Sequence, residues 1–259
     1  MSKKKKTTID YIKNNAAAIK ENKETLATTD YIKNNATIIK ENKETLFFGI
    51  NVFIKEPLPE NVSLNAVLKK VEKIIPRHLV YNIEVVYVGE FKLFDERKIN
   101  AMYQDGALYI SNDQDDEDDM VDDIVHEIAH ATEEKYWSEL YGDETLEEEF
   151  LAKRMKLLDI LESYDYNVVY EQFVNMEYSG EFDQYLYNTI GYEKLEQFSI
   201  GLFINPYSIT SLREYFGVGF EKYYLENRSE LANVCPILYN KVELVATLEE
   251  TAGEKSHER

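Results

Sequence analysis

The chain has 259 residues, 44% hydrophobic and 13% aromatic, and a formal net charge of −20. Its length fits one or two folded domains, and its charge excludes the basic face of a nucleic-acid binder; the acidity either draws basic peptides to a cleft or serves solubility alone. A single cysteine, Cys235, points to a reducing, cytoplasmic setting, the polar stretch after MSKKKK supplies no signal-peptide core, and no apolar run approaches the ~20 residues that cross a membrane.

In chain order, the first feature is a duplication. DYIKNNAAAIKENKETL at 10–26 recurs as DYIKNNATIIKENKETL at 30–46. Threonines and an aspartate open each copy as N-cap residues, and Ile12, Ile19 and Leu26, like Ile32, Ile39 and Leu46, recur every seven residues. So thin an apolar stripe does not fold alone. Residues 1–46 read as a helical arm for oligomerisation or docking, or as a flexible tail. The folded domain is expected over 47–248, and 249–259 is a polar tail.

Within that domain FFGINVFIKEPLPENVS alternates and carries β-branched residues. SLNAVLKKVEKIIP places Leu64, Val67, Leu68, Val71 and Ile74/Ile75 on one helical face. VYNIEVVYVGEF predicts a strand, and GALYIS predicts a second after the turn at Gln104, Asp105 and Gly106. A long helix is expected from Asp116 to Gly142, and Thr145 with Glu148 has the capping-box pattern that opens another. The tyrosine-rich stretch 163–206 shows no clear period. SLREYFGVGFEKYYL and PILYNKVELVATL predict two closing helices, the second with Pro236 in its first turn. Sheet first and helices after is an α+β order.

The long central helix carries VHEIAH. Residues four apart share a helical face, so His126 and His130 can direct imidazole nitrogens at one zinc ion at ~2.0–2.1 Å. Glu127 is rotated off that face by about 100 degrees, where it can take a proton from a metal-activated water and return it to a leaving amine. Two of only four histidines fall within five residues. Asp122 or Asp123, one turn earlier, could orient His126; the aspartates around them otherwise complement the helix dipole, and they lack the EF-hand glycine and glutamate.

A third protein ligand is needed. Tyr136 stands six residues after His130, where a third histidine would be, so an acid on a later helix is expected. Glu148 and Glu149 qualify by distance but also serve as a helix-opening acidic turn. Further on, Tyr207 precedes Glu214 by seven residues at the start of an aromatic helix. HEIAH with this pair, EYFGVGFEKYYL and the closing helix resembles the catalytic domain of the anthrax lethal factor and Pro-Pro endopeptidase family, gluzincin-type zinc proteases. The likeness covers roughly 85–245, with a longer spacing between His130 and Glu214 that an insertion over 143–200 would explain.

That resemblance implies an α+β zincin-like fold and one zinc per chain held by His126, His130 and Glu214. It also implies Glu127 as general base, Tyr207 as a hydrogen-bond donor to the oxyanion, and GALYIS as the edge strand that pairs with an extended peptide through Leu108 and Ile110. The alternative for Glu214 is a capping box with Ser211, and for Tyr207 it is packing in the core. Short zincin-like chains also resemble proteins of tailed phages, which would place the chain in host cytoplasm or a virion. The second reading is therefore a structural or virion-assembly protein on a zincin-like scaffold, docking through residues 1–46. The first is a zinc endopeptidase.

Overall fold

The computed structural model describes residues 45–248, so the repeat arm except Thr45 and Leu46, and the tail 249–259, lie outside the described residues. Strand β1 (Thr45–Phe47) returns through a two-residue turn into β2 (Ile50–Ile54). The turn residues Phe48 and Gly49 both have positive φ, the arrangement whose twist matches a tight hairpin. The first strand thus includes Thr45 and Leu46, ahead of the composition change at Phe47. Helix α1 (Leu64–Ile74) buries Leu64, Val67, Leu68 and Val71, as its apolar spacing predicts.

A 3-10 turn (Arg77–Val80) leads into β3 (Val85–Gly89), which is shorter than the predicted strand. Helix α2 (Lys92–Arg97) and strand β4 (Ala101–Gln104) follow, both unpredicted. β4 turns at Asp105 and Gly106, both with positive φ, into β5 (Ala107–Ser111).

The five strands form one mixed sheet in the order β1-β2-β3-β5-β4, parallel across β2, β3 and β5 and antiparallel at both ends. Val52, Val86, Val88, Leu108 and Ile110 enter the core from one face. Phe53, Tyr87 and Tyr109 stack as an aromatic ladder across the other, with ring centroids 5.7 and 5.4 Å apart.

This topology overturns the edge-strand assignment. β5 lies between β3 and β4: Leu108 is in register with Val86 and Tyr103, and Ile110 with Val88 and Ala101. Their backbones are committed on both sides and both residues are fully buried, so neither can pair with a peptide. The edge strand beside the histidine helix is β4.

That helix, α3 (Glu117–Lys135), begins where Asp116 accepts from the amides of Asp118 and Asp119 and carries three acids in its first turn. It packs on α1, β4 and the later helix α9. The predicted run to Gly142 breaks at Tyr136, and a short α4 (Trp137–Tyr141) completes it. Helix α5 (Thr145–Ser163) has no capping box: Glu144 takes a left-handed conformation, and Thr145 bonds Asp143 through both its amide and its hydroxyl.

The stretch without clear period becomes α6 (Tyr170–Val174), α7 (Gly180–Gln184), a π-helical turn (Tyr185–Ile190) and α8 (Tyr192–Ser199). A 3-10 turn (Tyr207–Ile209) leads into α9 (Leu212–Leu225), followed by α10 (Arg228–Val234) and α11 (Pro236–Thr247). The described residues therefore form an α+β fold with eleven helices. Among them no helix is long and apolar enough to cross a membrane.

Candidate metal centre

On α3 the four-residue spacing brings the two imidazoles together, with Nε2 of His126 and Nε2 of His130 3.1 Å apart. Oε2 of Glu214, from the first turn of α9, lies 3.0 Å from the His126 nitrogen and 3.9 Å from that of His130. A point equidistant from these three atoms is about 2.0 Å from each, the length of a zinc–nitrogen or zinc–oxygen bond. His126, Glu127 and His130 also offer atoms within 4.8 Å of one another, a group able to hold a metal ion. Glu127, however, accepts from the backbone amide of Tyr103 on β4 at 2.5 Å, which ties its carboxylate to the edge strand.

Glu214 forms half of the expected capping box, without the return bond from its side chain to the Ser211 amide, and leaves that side chain to the imidazoles. Its amide donates to the Ser211 hydroxyl, which caps α9, while its side chain points at the imidazoles. One face of α9 then grips His126 at i, i+3 and i+7. Glu214 meets Nε2, Gly217 lies under the ring, and Oε1 of Glu221 sits 2.5 Å from Nδ1. A Cβ at Gly217 would stand 2.7 Å from Cε1 of His126, so no other residue permits this approach.

The aspartates before the motif do not orient His126 by hydrogen bonding; Glu221 does, and Asp123 instead accepts from Gln114. On the other imidazole, Nδ1 of His130 is buried without a hydrogen-bond partner, 3.6 Å from Oε2 of Glu133. Tyr141 anchors that carboxylate through its other oxygen, and the Arg213 guanidinium stands 3.9 Å away.

Burial alone would lower the pKa of His126, but its hydrogen bonds to the Glu214 and Glu221 carboxylates outweigh it and raise it well above the ordinary imidazole value. For His130, burial and then the charges of Arg213 and His126 push it well below. Glu214 and Glu221 thus favour a charge on the His126 ring, whereas Arg213 disfavours one on His130. Two imidazoles, an orphaned ring nitrogen and surplus carboxylates are the donor chemistry of a borderline divalent ion such as zinc.

Tyr207 sits beside the centre, its ring centroid 6.1 Å from that of His126. The residue is partly exposed; burial of its hydroxyl and the nearby Glu214 carboxylate raise its pKa far beyond the ordinary value, so it stays a donor. Glu127 is pushed up by burial, against the lowering by His126 and the Tyr103 amide.

The rival acids lie elsewhere. Glu148 is exposed, and Glu149 accepts from Tyr215 and from the amides of Ile237 and Leu238, capping α11. Behind the site, buried Arg154 donates to the carbonyls of Gln172, Phe173, Asn175, Ile209 and Thr210. It lies between the rings of Phe150 and Phe182, and it fixes the turn that carries Tyr207.

Glu221, Gly217, Glu133, Arg213 and Arg154 were not singled out from sequence. For Gly217 and Glu221 a signal existed, their helical register with Glu214; for the others only the fold brings the partners together. Comparison with protein-family models, with curated proteins and with solved structures returned no match.

Proposed function

We propose that the chain is a single-zinc endopeptidase of zincin-like fold, with the metal held by His126, His130 and Glu214. The observation that carries this reading is the convergence of three donor atoms from two helices, next to a carboxylate that does not share their face. The resemblance to the lethal factor and Pro-Pro endopeptidase family supports it from the sequence side. When bound, zinc would supply Lewis-acid chemistry, acidifying a water and polarising the scissile carbonyl.

The chain's own groups do the rest. Glu127, raised by burial and held by the Tyr103 amide, takes the proton of the attacking water and delivers it to the leaving amine. Tyr207, held protonated, turns its hydroxyl from Glu214 to the oxyanion, a contact worth ~2–4 kcal/mol in comparable sites. Glu221 keeps the His126 imidazole oriented through its hydrogen bond to Nδ1, and Glu133 faces the His130 ring.

The peptide adds to β4 as a further strand. Gln104 and Ala107 close the hairpin, so the backbone groups of Ala101 and Tyr103 face away from β5. The Tyr103 amide is already committed to Glu127, so a peptide on β4 would pair with the outward backbone groups other than that amide, and the docking strand is tied to the base.

The experiment is metal analysis alongside peptide hydrolysis. Purified protein should bind one zinc per chain and cleave peptides from a random library. Glu127→Ala should keep the zinc and lose hydrolysis, and Tyr207→Phe should keep the zinc and lower kcat and kcat/KM together. A zinc-loaded protein that cleaves nothing would leave the metal centre but remove the enzyme, favouring the scaffold reading. Loss of zinc in Glu127→Ala would show the roles to be misassigned.

A further inference from the structure

The tyrosine-rich stretch 163–206 borders the candidate metal centre just before α7. There the Met176 carbonyl accepts from the amide of Leu212, two residues before Glu214, at 2.9 Å. Tyr178 therefore lies beside the site. Burial comes first in raising its pKa, followed by the Asp183 carboxylate and then by that of Glu214. Tyr207 responds to burial and Glu214 in the same way, with Tyr178 as a lesser neighbour.

Tyr178, Tyr187 and Tyr192 gather around Asp183. The Tyr178 hydroxyl donates to Oδ2 of Asp183 at 3.2 Å. Burial and then Asp183 raise the pKa of Tyr192, whose ring meets that of Tyr187 edge-on with centroids 5.5 Å apart. The three rings are between 36% and 60% exposed, and Tyr207, at 39%, continues the same surface toward His126. The core does not require them, because Phe182, Leu186 and Ile190 bury the inner face of these turns.

Asp183 has no ion-pair partner among the described residues. Lys194, two residues after Tyr192, donates to the Tyr166 hydroxyl instead, and Arg213 stands by Glu133. A carboxylate among tyrosine rings has the chemistry of a cation receptor. The ring faces attract positive charge through their quadrupole, and the carboxylate supplies the full counter-charge. An apolar group would gain from the rings but would strip water from Asp183, and an anion would be repelled.

We propose that this tyrosine cluster is a specificity subsite that takes a lysine or arginine side chain of the peptide substrate. The inference rests on the endopeptidase reading and names a substrate class for it. The cationic head pairs with Asp183, and the aliphatic stem lies along the rings of Tyr187 and Tyr192. Tyr178 joins this subsite to Tyr207, so the recognised side chain belongs to a residue near the bond that is cut. The chain's net charge of −20 favours the approach of such peptides.

The test is hydrolysis of a random peptide library by the full zinc-loaded chain, with the products sequenced by mass spectrometry. We expect lysine and arginine to be enriched at one position relative to the cut. Two peptides differing only there, lysine against norleucine, should differ about tenfold in kcat/KM, chiefly through KM. Asp183→Asn should shrink that ratio to about twofold or less, and Tyr192→Leu should also reduce it. Neither side chain is buried, so both variants should fold. Glu60→Gln, which removes an exposed acid outside the site, should keep the full ratio and so separates local recognition from net charge. Hydrolysis without a basic preference, enrichment of apolar residues alone, or a ratio unchanged by Asp183→Asn overturns the proposal and leaves the endopeptidase reading in place. A chain that cleaves no peptide overturns the endopeptidase reading, and this subsite with it.

Discussion

His126 is held by residues of a second helix as well as by its own. Its ring is touched on three sides by one face of α9, and each contact makes a separate demand on the sequence. Gly217→Ala would drive a methyl to 2.7 Å from the ring, so either the imidazole or the helix must shift. We expect zinc affinity to fall at least about tenfold in that variant, and about 10–100-fold in Glu221→Gln, which leaves Nδ1 without its carboxylate. A competitive chelator titration reads both; unchanged affinity in the two variants would mean that α9 does not position the ring. HEIAH alone identified His126, Glu127 and His130 as candidates, because a helix fixes what lies four residues apart. The sequence does not show what comes to meet that face. Glu221 was legible only once Glu214 was placed on the same helix, and Glu133 needed the buried Tyr141 and Arg213 around it to stand out from other acids.

At the level of elements, strand β1 makes the clearest quantitative claim. Thr45 and Leu46 close the last repeat in sequence yet pair with Val52 and Asn51 in the sheet. A chain beginning at residue 43 should therefore melt higher than one beginning at Phe47. Losing two of the three β1 pairs should cost about 1–2 kcal/mol, or some 2–8 °C in Tm. Equal melting temperatures would show that the edge strand contributes nothing.

The helices were read well where apolar residues recur at helical spacing, as in α1, α9 and α11. They were missed where elements are short: α2 and α10 carry too few turns for a period to emerge. The sheet misled for a different reason. Asp105-Gly106 is a strong hairpin signal, and a hairpin requires a strand on both sides. AMYQ before the turn was that strand; taking GALYIS as the edge put an interior strand at the rim. The capping box at Thr145 failed because Asp143, two residues earlier, captured the threonine.

Across the molecule, the excess of acids is arranged rather than diffuse: carboxylates ring the histidine centre and crowd the first turn of α3. Glu147 is an acid buried outside both. It is 3% exposed, one of its oxygens has no hydrogen-bond partner, and burial pushes it up to about 7 from an ordinary value of 4.5. Between those values the folded protein binds more protons at this position than the unfolded chain. The contribution of Glu147 is therefore intact below about pH 4.5 and is lost as pH rises through about 7. Glu147→Gln should remove that slope and stabilise the protein near pH 8 by about 1–3 kcal/mol. Urea unfolding of both proteins at pH 5 and pH 8 measures it; equal losses of stability between the two pH values would contradict the assignment.

The central claim is that two helices, α3 and α9, jointly build a metal centre in which Glu214 is a ligand and Glu127 is not. Zinc affinity measured by chelator competition on Glu214→Gln and Glu127→Gln tests it most directly, with Glu149→Gln as a variant that alters only the cap of α11. We predict a loss of several orders of magnitude for Glu214→Gln and near wild-type affinity for the other two. Retention of zinc by Glu214→Gln together with its loss from Glu127→Gln would make His126, Glu127 and His130 the ligand set, and would contradict the account.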